Sequence, residues 1–442
     1  MRCMDAASHF HGKKITIMRI GLLGRGVGDA AYLAKCGADV LIVDDAPQEV
    51  MQPSVDALKE FKNITFKFGA YDLNDFRTCD MVLKGAGTSL DSPEIAEAKK
   101  NDIPVRMSAD LFVEISGIPC VGITGTRGKS TVTHMLNAIL KAAKKKVLLG
   151  GNVRGVSTLA LLEEATPEHV AVLELDSWQL QGFGEARMSP HIAIFTTLYP
   201  DHQNYYKEHP EMYLADKANI FLYQKPSDML ILGKQCAAVI IEKYSEHIES
   251  KTIVADELKL PDTWVLKIPG LHNRYNAAFA LSAARALDIP DETSRKALET
   301  FGGVPGRLEL VREARGVKIY NDTTATTPEA TLAALKVLDT GAKNIVLIMG
   351  GADKDLDMNA LLYEIPNYTK RVILLTGTGT NRILEFLPEA SVFDNLGKAV
   401  AEAFLATGPG DTILFSPAFA SFGMFKNEYD RGDQFNALVH GI

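Results

Sequence analysis

The residues with the clearest chemical meaning form one run, GITGTRGKSTV, at 122–132. It follows a short apolar run, and apolar residues recur at helical spacing over 131–141. A turn between a strand and a helix lets backbone N–H groups converge on phosphate oxygens. Lys129 adds a positive charge for the terminal phosphates, and the Ser130 hydroxyl can bind Mg²⁺. The run predicts a nucleoside triphosphate site rather than an ordinary glycine-rich turn, although Ile123 replaces the first glycine of the strict GxxxxGK[ST] pattern.

Four other polar residues are candidate ligand groups, and three of them end or follow predicted strands, where a parallel α/β fold collects such groups. Glu174 ends an apolar strand, so it either holds Mg²⁺ beside Ser130 or is a surface charge. His202 lies in a turn, where a histidine is more often solvated. Lys217 stands beside an aspartate in a helix, and this pattern alone predicts a solvent-facing side chain. Asn152 follows a strand and two glycines, which fits a ligand contact and a plain turn equally.

Composition limits the class of protein. A chain of 442 residues predicts two to three domains, and its net charge of −8 gives no basic footprint for nucleic acid. Five scattered cysteines without a CxxC pair favour reduced thiols over disulfides or a zinc site. No apolar run approaches the roughly 18 residues that span a bilayer. We therefore expect a cytoplasmic protein, with residues 1–17 as an N-terminal extension before a fold that begins near Met18.

The first hundred residues alternate β-rich runs with helical stretches, which is a parallel α/β pattern. Strands are predicted at Ile17–Leu23, Val40–Val43, Ile64–Phe68 and Met81–Lys84, and helices at Ala30–Cys36 and Glu94–Asn101. The turn at 24–28, with Asp44 closing the next strand, is similar to a dinucleotide fingerprint, but Asp29 stands in the third glycine position. A structural or modified nucleotide-binding domain is therefore favoured over an NAD site.

Further βα units follow the phosphate loop, and a Gly-Gly-Val-Pro-Gly stretch at 302–306 is the predicted joint to a last α/β region. Strands are predicted at Lys146–Leu149, Val170–Leu175, His191–Thr196, Met229–Leu232, Val317–Tyr320, Ile345–Met349, Val372–Leu375 and Thr412–Phe415, and helices at Tyr275–Leu287 and Pro328–Leu338. The fold class is α/β in three domains: Rossmann-like at 18–106, a P-loop-type ATPase at 107–304, and Rossmann-like again at 305–442.

The order and spacing of these segments resemble the Mur ligase family over nearly the whole chain from about Met18. The resemblance rests on 122–131, 150–152, LELDSWQL at 173–180, Asp201-His202, Lys217, 272–276, Arg307, 321–326, 350–354 and 416–432. The NDTTAT run at 321–326 favours the members that add D-glutamate to UDP-N-acetylmuramoyl-L-alanine. Many members carry a lysine where this chain has Thr324.

The resemblance implies an ATP-dependent ligase that forms an amide through an acyl phosphate, with the first domain binding the UDP substrate and the last the amino acid. It implies nucleotide contacts from Gly125, Thr126, Gly128, Lys129, Ser130, Thr131, Asn276, Arg307 and Asp322. It implies substrate contacts from Asn152, Thr326, Lys354, Ser421 and Phe422. Ser130 and Glu174 would hold one Mg²⁺, while His202 and a carbamylated Lys217 would help hold a second. The implied partners are small molecules, without nucleic acid or membrane insertion, and the implied state is a monomer.

Two other functions fit parts of these observations. A folylpolyglutamate synthetase shares the ATP core, but such enzymes commonly begin close to the phosphate loop, whereas about 120 residues precede it here. A non-catalytic binding protein is the second alternative. The joint presence of Lys129, Ser130, Glu174, His202 and Lys217 argues against it.

Overall fold

The computed structural model describes residues 6–21, 24–153, 155–199, 206, 210–268 and 270–441. The chain divides into two compact units. One holds Met1–Leu266 with Leu271–Thr300, and the other holds Lys267–Gly270 with Phe301–Ile442. The first unit contains two sheets and the second contains one. The boundary between the first two predicted domains stays a prediction.

The first sheet is parallel, with strand order β3-β2-β1-β4-β5. Its elements are α1 Ala6–Phe10, β1 Lys14–Met18, α2 Arg25–Lys35, β2 Asp39–Asp44, α3 Gln48–Leu58, β3 Ile64–Phe68, β4 Met81–Lys84, α4 Pro93–Lys100 and β5 Val105–Arg106. Parallel strands need covered faces, and the inward side chains of β1 and β2 pack under α2 in one apolar core.

The predicted extension at 1–17 is wrong for its described part. β1 is the central strand of the sheet and begins at Lys14, earlier than the predicted Ile17–Leu23. Phe10, Ile15 and Ile17 are buried in the first core. The misassignment arose because this strand is short and preceded by charged and polar residues, so the apolar run after it dominated the pattern.

The central sheet is also parallel, with order β11-β10-β9-β6-β8-β7. Its strands are β6 Cys120–Thr124, β7 Lys146–Gly151, β8 His169–Glu174, β9 Ile192–Phe195, β10 Met229–Gly233 and β11 Lys251–Ala255. The helices are α5 Ser108–Ser116, α6 Lys129–Ala142, α7 Ser177–Glu185, α8 Pro210–Ala218, α9 Lys234–Tyr244, α10 Leu271–Ala286 and α11 Asp291–Thr300. Helix α5 packs into two cores of this unit, with Leu111 in the core of the first sheet and Phe112 in a core of the central sheet. This shared helix explains why two sheets form one compact unit.

The second unit is built on a six-stranded sheet of order β12-β13-β17-β14-β15-β16. Its elements are β12 Glu309–Ala314, β13 Val317–Asn321, α12 Pro328–Leu338, β14 Ile345–Gly350, α13 Asn359–Tyr368, β15 Thr369–Leu375, α14 Thr378–Ile383, β16 Ser391–Phe393, α15 Leu396–Leu405, β17 Thr412–Phe415 and α16 Glu428–His440. Only β12 is antiparallel, paired with β13 in a hairpin that the sequence pattern did not predict. Apolar cores cover both faces of the sheet.

The predicted α/β fold with parallel sheets is thus confirmed. Within the part of the chain that the structure describes, no helix combines the length and apolar character needed to cross a membrane. The four described cysteines are free thiols.

Candidate active site

The phosphate loop joins β6 to α6 at the carboxyl edge of the central sheet. Gly128 caps α6 in a left-handed conformation, φ 90°, without a side-chain hydrogen bond to the first turn. Amides in the first turn of a helix lack partners within the helix and so suit an anion. Lys129 Nζ donates to the carbonyls of Gly125 (3.0 Å) and Thr126 (3.3 Å), which holds its charge over the loop. This arrangement suits a chain of phosphates.

Gly128 also lets α10 approach the loop. A Cβ at this position would lie 2.5 Å from Asn276 Oδ1, so no other residue fits without displacing that side chain. Gly128 and Asn276, both predicted to contact the nucleotide, therefore lie side by side. Ser130 and Thr131 occupy the partly exposed first turn of α6 beside them.

Lys217 is buried against the same loop rather than facing solvent. It is 2% exposed on α8, and its Nζ donates to Thr124 Oγ1 (3.2 Å) and to the carbonyl of Gly125 (3.1 Å). Its ammonium also lies 4.7 Å from the centre of the Tyr213 ring. Because Lys129 donates to the same Gly125 carbonyl, the two lysine nitrogens are no more than about 6 Å apart. Two like charges this close in a buried site repel each other.

Sequence reasoning did not single out Tyr213. Its hydroxyl lies 3.2 Å from Thr126 Oγ1, so it links α8 to the phosphate loop. The only signal was an aromatic residue four positions before Lys217, which places both on one helix face. Asp216, the residue before Lys217, contacts α7: its Oδ2 accepts a hydrogen bond from Gln181 Nε2 (2.8 Å). Burial raises the pKa of Asp216.

Two oxygen donors near the loop fit a hard cation. Glu174 ends β8 opposite Ile123 and is 4% exposed. Among the described residues neither its carboxylate nor the Ser130 hydroxyl makes a hydrogen bond. Oxygen atoms without protein partners at a strand end and a helix start suit Mg²⁺. His202 lies outside the described residues, and within those residues no group of three His, Cys, Asp or Glu could hold a metal ion.

Asn152 lies beside Glu174 at the same edge of the sheet. It follows β7, and its backbone N–H donates to the carbonyl of Glu174 (2.7 Å). Its side chain accepts a hydrogen bond from Arg25, which comes from the first sheet's domain. The structure thus brings Asn152, Glu174, Lys217 and the phosphate loop to one edge of the central sheet.

A second cluster of predicted residues lies in the other unit. Asp322 is 8% exposed after β13, and its carboxylate accepts hydrogen bonds from the Leu308 N–H (2.9 Å) and from Ser416 Oγ (2.8 Å). Burial raises the pKa of Asp322 to about 7. Arg307 is exposed nearby, and its positive charge partly offsets this rise.

The residues predicted to bind the amino-acid substrate meet at the carboxyl edge of the same sheet. Lys354 Nζ donates to Thr326 Oγ1 (2.9 Å). A backbone bridge between Ala352 and Ala420 brings the Lys354 loop to the turn that carries Ser421. Ser421 is 4% exposed, whereas the Phe422 ring next to it is 69% exposed, which is unusual for a large apolar side chain.

Arg431 is buried behind this cluster and stabilises it. The sequence pattern did not predict a role for this residue. It is 1% exposed on α16, and its guanidinium donates to the carbonyl of Thr323 (2.7 Å) and to that of Phe419 (3.2 Å). It therefore holds together the two loops that carry Thr326 and Ser421. Burial lowers the pKa of Arg431 to about 10. The sequence contained no sign of its burial, because an arginine on a polar helix is usually solvated.

The buried Asp322 carboxyl predicts a pH-dependent stability. The unfolded chain loses this proton near 3.8 but the folded protein keeps it to about 7, so the unfolded state binds fewer protons between these values. Stability should therefore fall as pH rises through this window. Relative to wild type, Asp322→Asn should gain stability on the order of 2 kcal/mol between pH 5 and pH 8, measured by urea unfolding. Asp394→Asn, at an exposed carboxylate, is the control. Parallel pH profiles for wild type and Asp322→Asn would contradict the prediction.

Comparison with known proteins identifies the class. The family description "Mur ligase middle domain" matches residues 123–284, and "Mur ligase, glutamate ligase domain" matches residues 306–419. The chain belongs to the Mur ligase family, which confirms the resemblance found in its motifs. A particular relative is the UDP-N-acetylmuramoylalanine--D-glutamate ligase of Roseiflexus sp. (strain RS-1), with 35% identity over 98% of this chain and 99% of that protein.

Solved structures share the fold. A UDP-N-acetylmuramate-alanine ligase from Thermotoga maritima superposes with a TM-score of 0.59 at 19% identity, covering 97% of this chain and 99% of that one. A Mycobacterium tuberculosis folylpolyglutamate synthase complexed with ADP reaches 0.56 at 15% identity, covering 75% of this chain and 94% of that one. Both likenesses concern the fold alone.

Proposed function

We propose that this protein joins D-glutamate to UDP-N-acetylmuramoyl-L-alanine with conversion of ATP to ADP and phosphate, as a cytoplasmic step in peptidoglycan precursor synthesis. The observation that carries the proposal is the 35% identity to a D-glutamate ligase over almost the full length of both chains. The folylpolyglutamate synthase likeness covers only 75% of this chain, which disfavours that alternative.

The chemistry requires activation of a carboxylate, because its negative charge repels an attacking amine. The alanine carboxylate attacks the γ-phosphorus of ATP, forming an acyl phosphate and releasing ADP. The D-glutamate amine then attacks the acyl carbon, loses a proton, and expels phosphate from a tetrahedral intermediate. In-line phosphoryl transfer of this kind depends on positioning and charge neutralisation more than on covalent catalysis.

The phosphate loop supplies the positioning for the nucleotide. Lys129 and the first amides of α6 would hold the phosphates, with Asn276 beside Gly128. Ser130 and Glu174 would hold one Mg²⁺. An ion held there would reduce the repulsion between the phosphates and the attacking carboxylate. Arg307 and Asp322 are the further residues that we propose as nucleotide contacts.

Carbamylation of Lys217 resolves the charge conflict with Lys129. The Lys217 ammonium first loses one proton. The neutral amine then attacks CO₂, a C–N bond forms as one C–O π bond breaks, and a second proton leaves, so a cation becomes an anion with two oxygen donors. Carboxylate oxygens of this kind suit Mg²⁺. The proximity of the two lysine nitrogens to the Gly125 carbonyl supports this proposal, since an anion there attracts Lys129 instead of repelling it. A second Mg²⁺ would then be held by this group with His202.

The direct test is phosphate release with UDP-N-acetylmuramoyl-L-alanine, Mg²⁺, ATP and D-glutamate, each omitted in turn. We expect release only when all four are present. Release with a folate acceptor in place of the UDP substrate would favour the folylpolyglutamate alternative. Binding of ligands without turnover under any condition would favour a non-catalytic protein.

Lys354 provides a test of the amino-acid site, where Thr326, Ser421 and Phe422 also lie. A charge-assisted hydrogen bond to a substrate carboxylate contributes about 1.5–3 kcal/mol, so Lys354→Ala should raise KM for D-glutamate roughly 10- to 100-fold. KM for ATP should stay near the wild-type value. Lys370→Ala, at a partly exposed lysine paired with Asp411, is the control. An unchanged KM for D-glutamate would remove Lys354 from the site.

A further inference from the structure

The start of α2 packs against the segment that follows β7, so the first sheet's domain contacts the central sheet's domain at this point. A Cβ at Gly28 would lie 2.6 Å from the Cβ of Ser157, so glycine permits the close approach. Asp29 Oδ1 accepts hydrogen bonds from Ser157 Oγ (2.6 Å) and from Ser108 Oγ (2.7 Å). These contacts account for the aspartate that stands in the third glycine position of the fingerprint-like turn.

Arg25 extends this interface to a candidate substrate residue. Its Nη1 donates to Asn152 Oδ1 at 2.5 Å. A guanidinium has hydrogen-bond donors and no acceptor, so the amide must turn its oxygen toward Arg25. The Asn152 Nδ2 group, which can only donate, then faces away from Arg25. The backbone of Asn152 is held separately by its hydrogen bond to the Glu174 carbonyl.

We propose that Arg25 is a positioning residue for the UDP-linked substrate. It fixes the orientation of the Asn152 amide so that Nδ2 donates to an acceptor oxygen in the sugar–alanine portion. The inference rests on the proposed function and on the substrate contact that the Mur ligase resemblance implies for Asn152, which we place at that portion. It also links the two domains in substrate binding, because the arginine lies on α2 of the first sheet's domain and the asparagine directly follows β7 of the central sheet.

A double-mutant cycle tests the coupling. Arg25→Ala and Asn152→Ala should each raise KM for UDP-N-acetylmuramoyl-L-alanine about tenfold, the effect of losing one well-placed hydrogen bond. KM for ATP should change less than twofold, whereas a general destabilisation of the fold would raise it as well. The double variant should be no worse than Asn152→Ala alone. Arg25→Lys keeps a positively charged donor group and should recover most of the affinity.

The control variant changes another residue of α2, one that contacts a segment close to Asn152 in the chain. Lys35 of α2 forms an exposed ion pair with Glu163 (3.1 Å), so Lys35→Ala removes a contact across the same interface without touching Asn152. It should leave every KM unchanged. The proposal is overturned if the Arg25→Ala and Asn152→Ala effects are additive, if KM for the UDP substrate is unchanged in Arg25→Ala, or if Lys35→Ala raises KM equally.

If the proposed reaction is wrong, the phosphate-release assay gives a different result. Wild-type protein that releases no phosphate with all four reactants refutes the reaction and, with it, the role of Arg25. Wild-type protein that is active while the Arg25 effect is absent refutes only the positioning role. Should Arg25→Ala not fold, Arg25→Met takes its place in the cycle, because its side chain is unbranched and has no N–H donor.

Discussion

Lys217→Ala is expected to lose at least about a hundredfold in kcat, the size of effect seen when a charged transition state loses a stabilising group. Acetate or bicarbonate at millimolar concentration is expected to restore part of the rate. The reason is the position of Lys217, which is 2% exposed with its nitrogen 3.1 Å from the Gly125 carbonyl of the phosphate loop. If its working form is a carbamate, a small carboxylate that enters the space left by the side chain replaces the missing oxygens.

The matched control for this variant is Lys225→Ala, which removes an exposed lysine shortly after the same helix. It should retain the wild-type rate with or without acetate. A thermal melt of both variants separates loss of chemistry from loss of fold. A near-normal rate in Lys217→Ala, or a folded and inactive variant that no carboxylate rescues, would count against the carbamate.

Lys129→Ala is expected to abolish ATP-dependent phosphate release to a comparable extent, with a loss of at least about a hundredfold. The Lys129 ammonium is held over the phosphate loop by the carbonyls of Gly125 and Thr126. Without it, the charge that develops on the transferred phosphoryl group loses a cation in a partly buried site. Added acetate should not restore activity, which distinguishes this lysine from Lys217.

Lys141→Ala is the corresponding control, since Lys141 is exposed in the last turn of the same helix. We expect its rate and its melting temperature to match those of wild type. The measurement is steady-state phosphate release together with nucleotide binding by calorimetry. Lys129→Ala protein that turns over at more than a tenth of the wild-type rate would contradict the assigned role.

The limits of sequence reasoning are clear at particular residues. The strand, glycine turn and helix of the phosphate loop are adjacent in sequence, so their pattern predicted β6 and α6 closely. Local sequence by itself predicted an exposed Lys217. The family resemblance implied a metal-ligand role for it instead, and the structure shows the side chain buried. Tyr213 and Arg431 were missed, because burial of a helix side chain depends on which face packs against the rest of the protein. The hairpin strand β12 was missed because it is antiparallel among parallel βα units.

The sequence by itself determined the fold class, the strand, turn and helix of the phosphate loop, and the family, because these depend on residues close together in the chain or on the order of motifs along it. Only the tertiary structure decided which side chains meet: Lys217 with the phosphate loop, Arg25 with Asn152, and Arg431 with the loops around Lys354. Those contacts join residues that are far apart in sequence. They form when sheets and helices bury their apolar faces, and no local pattern specifies the polar groups that burial brings together.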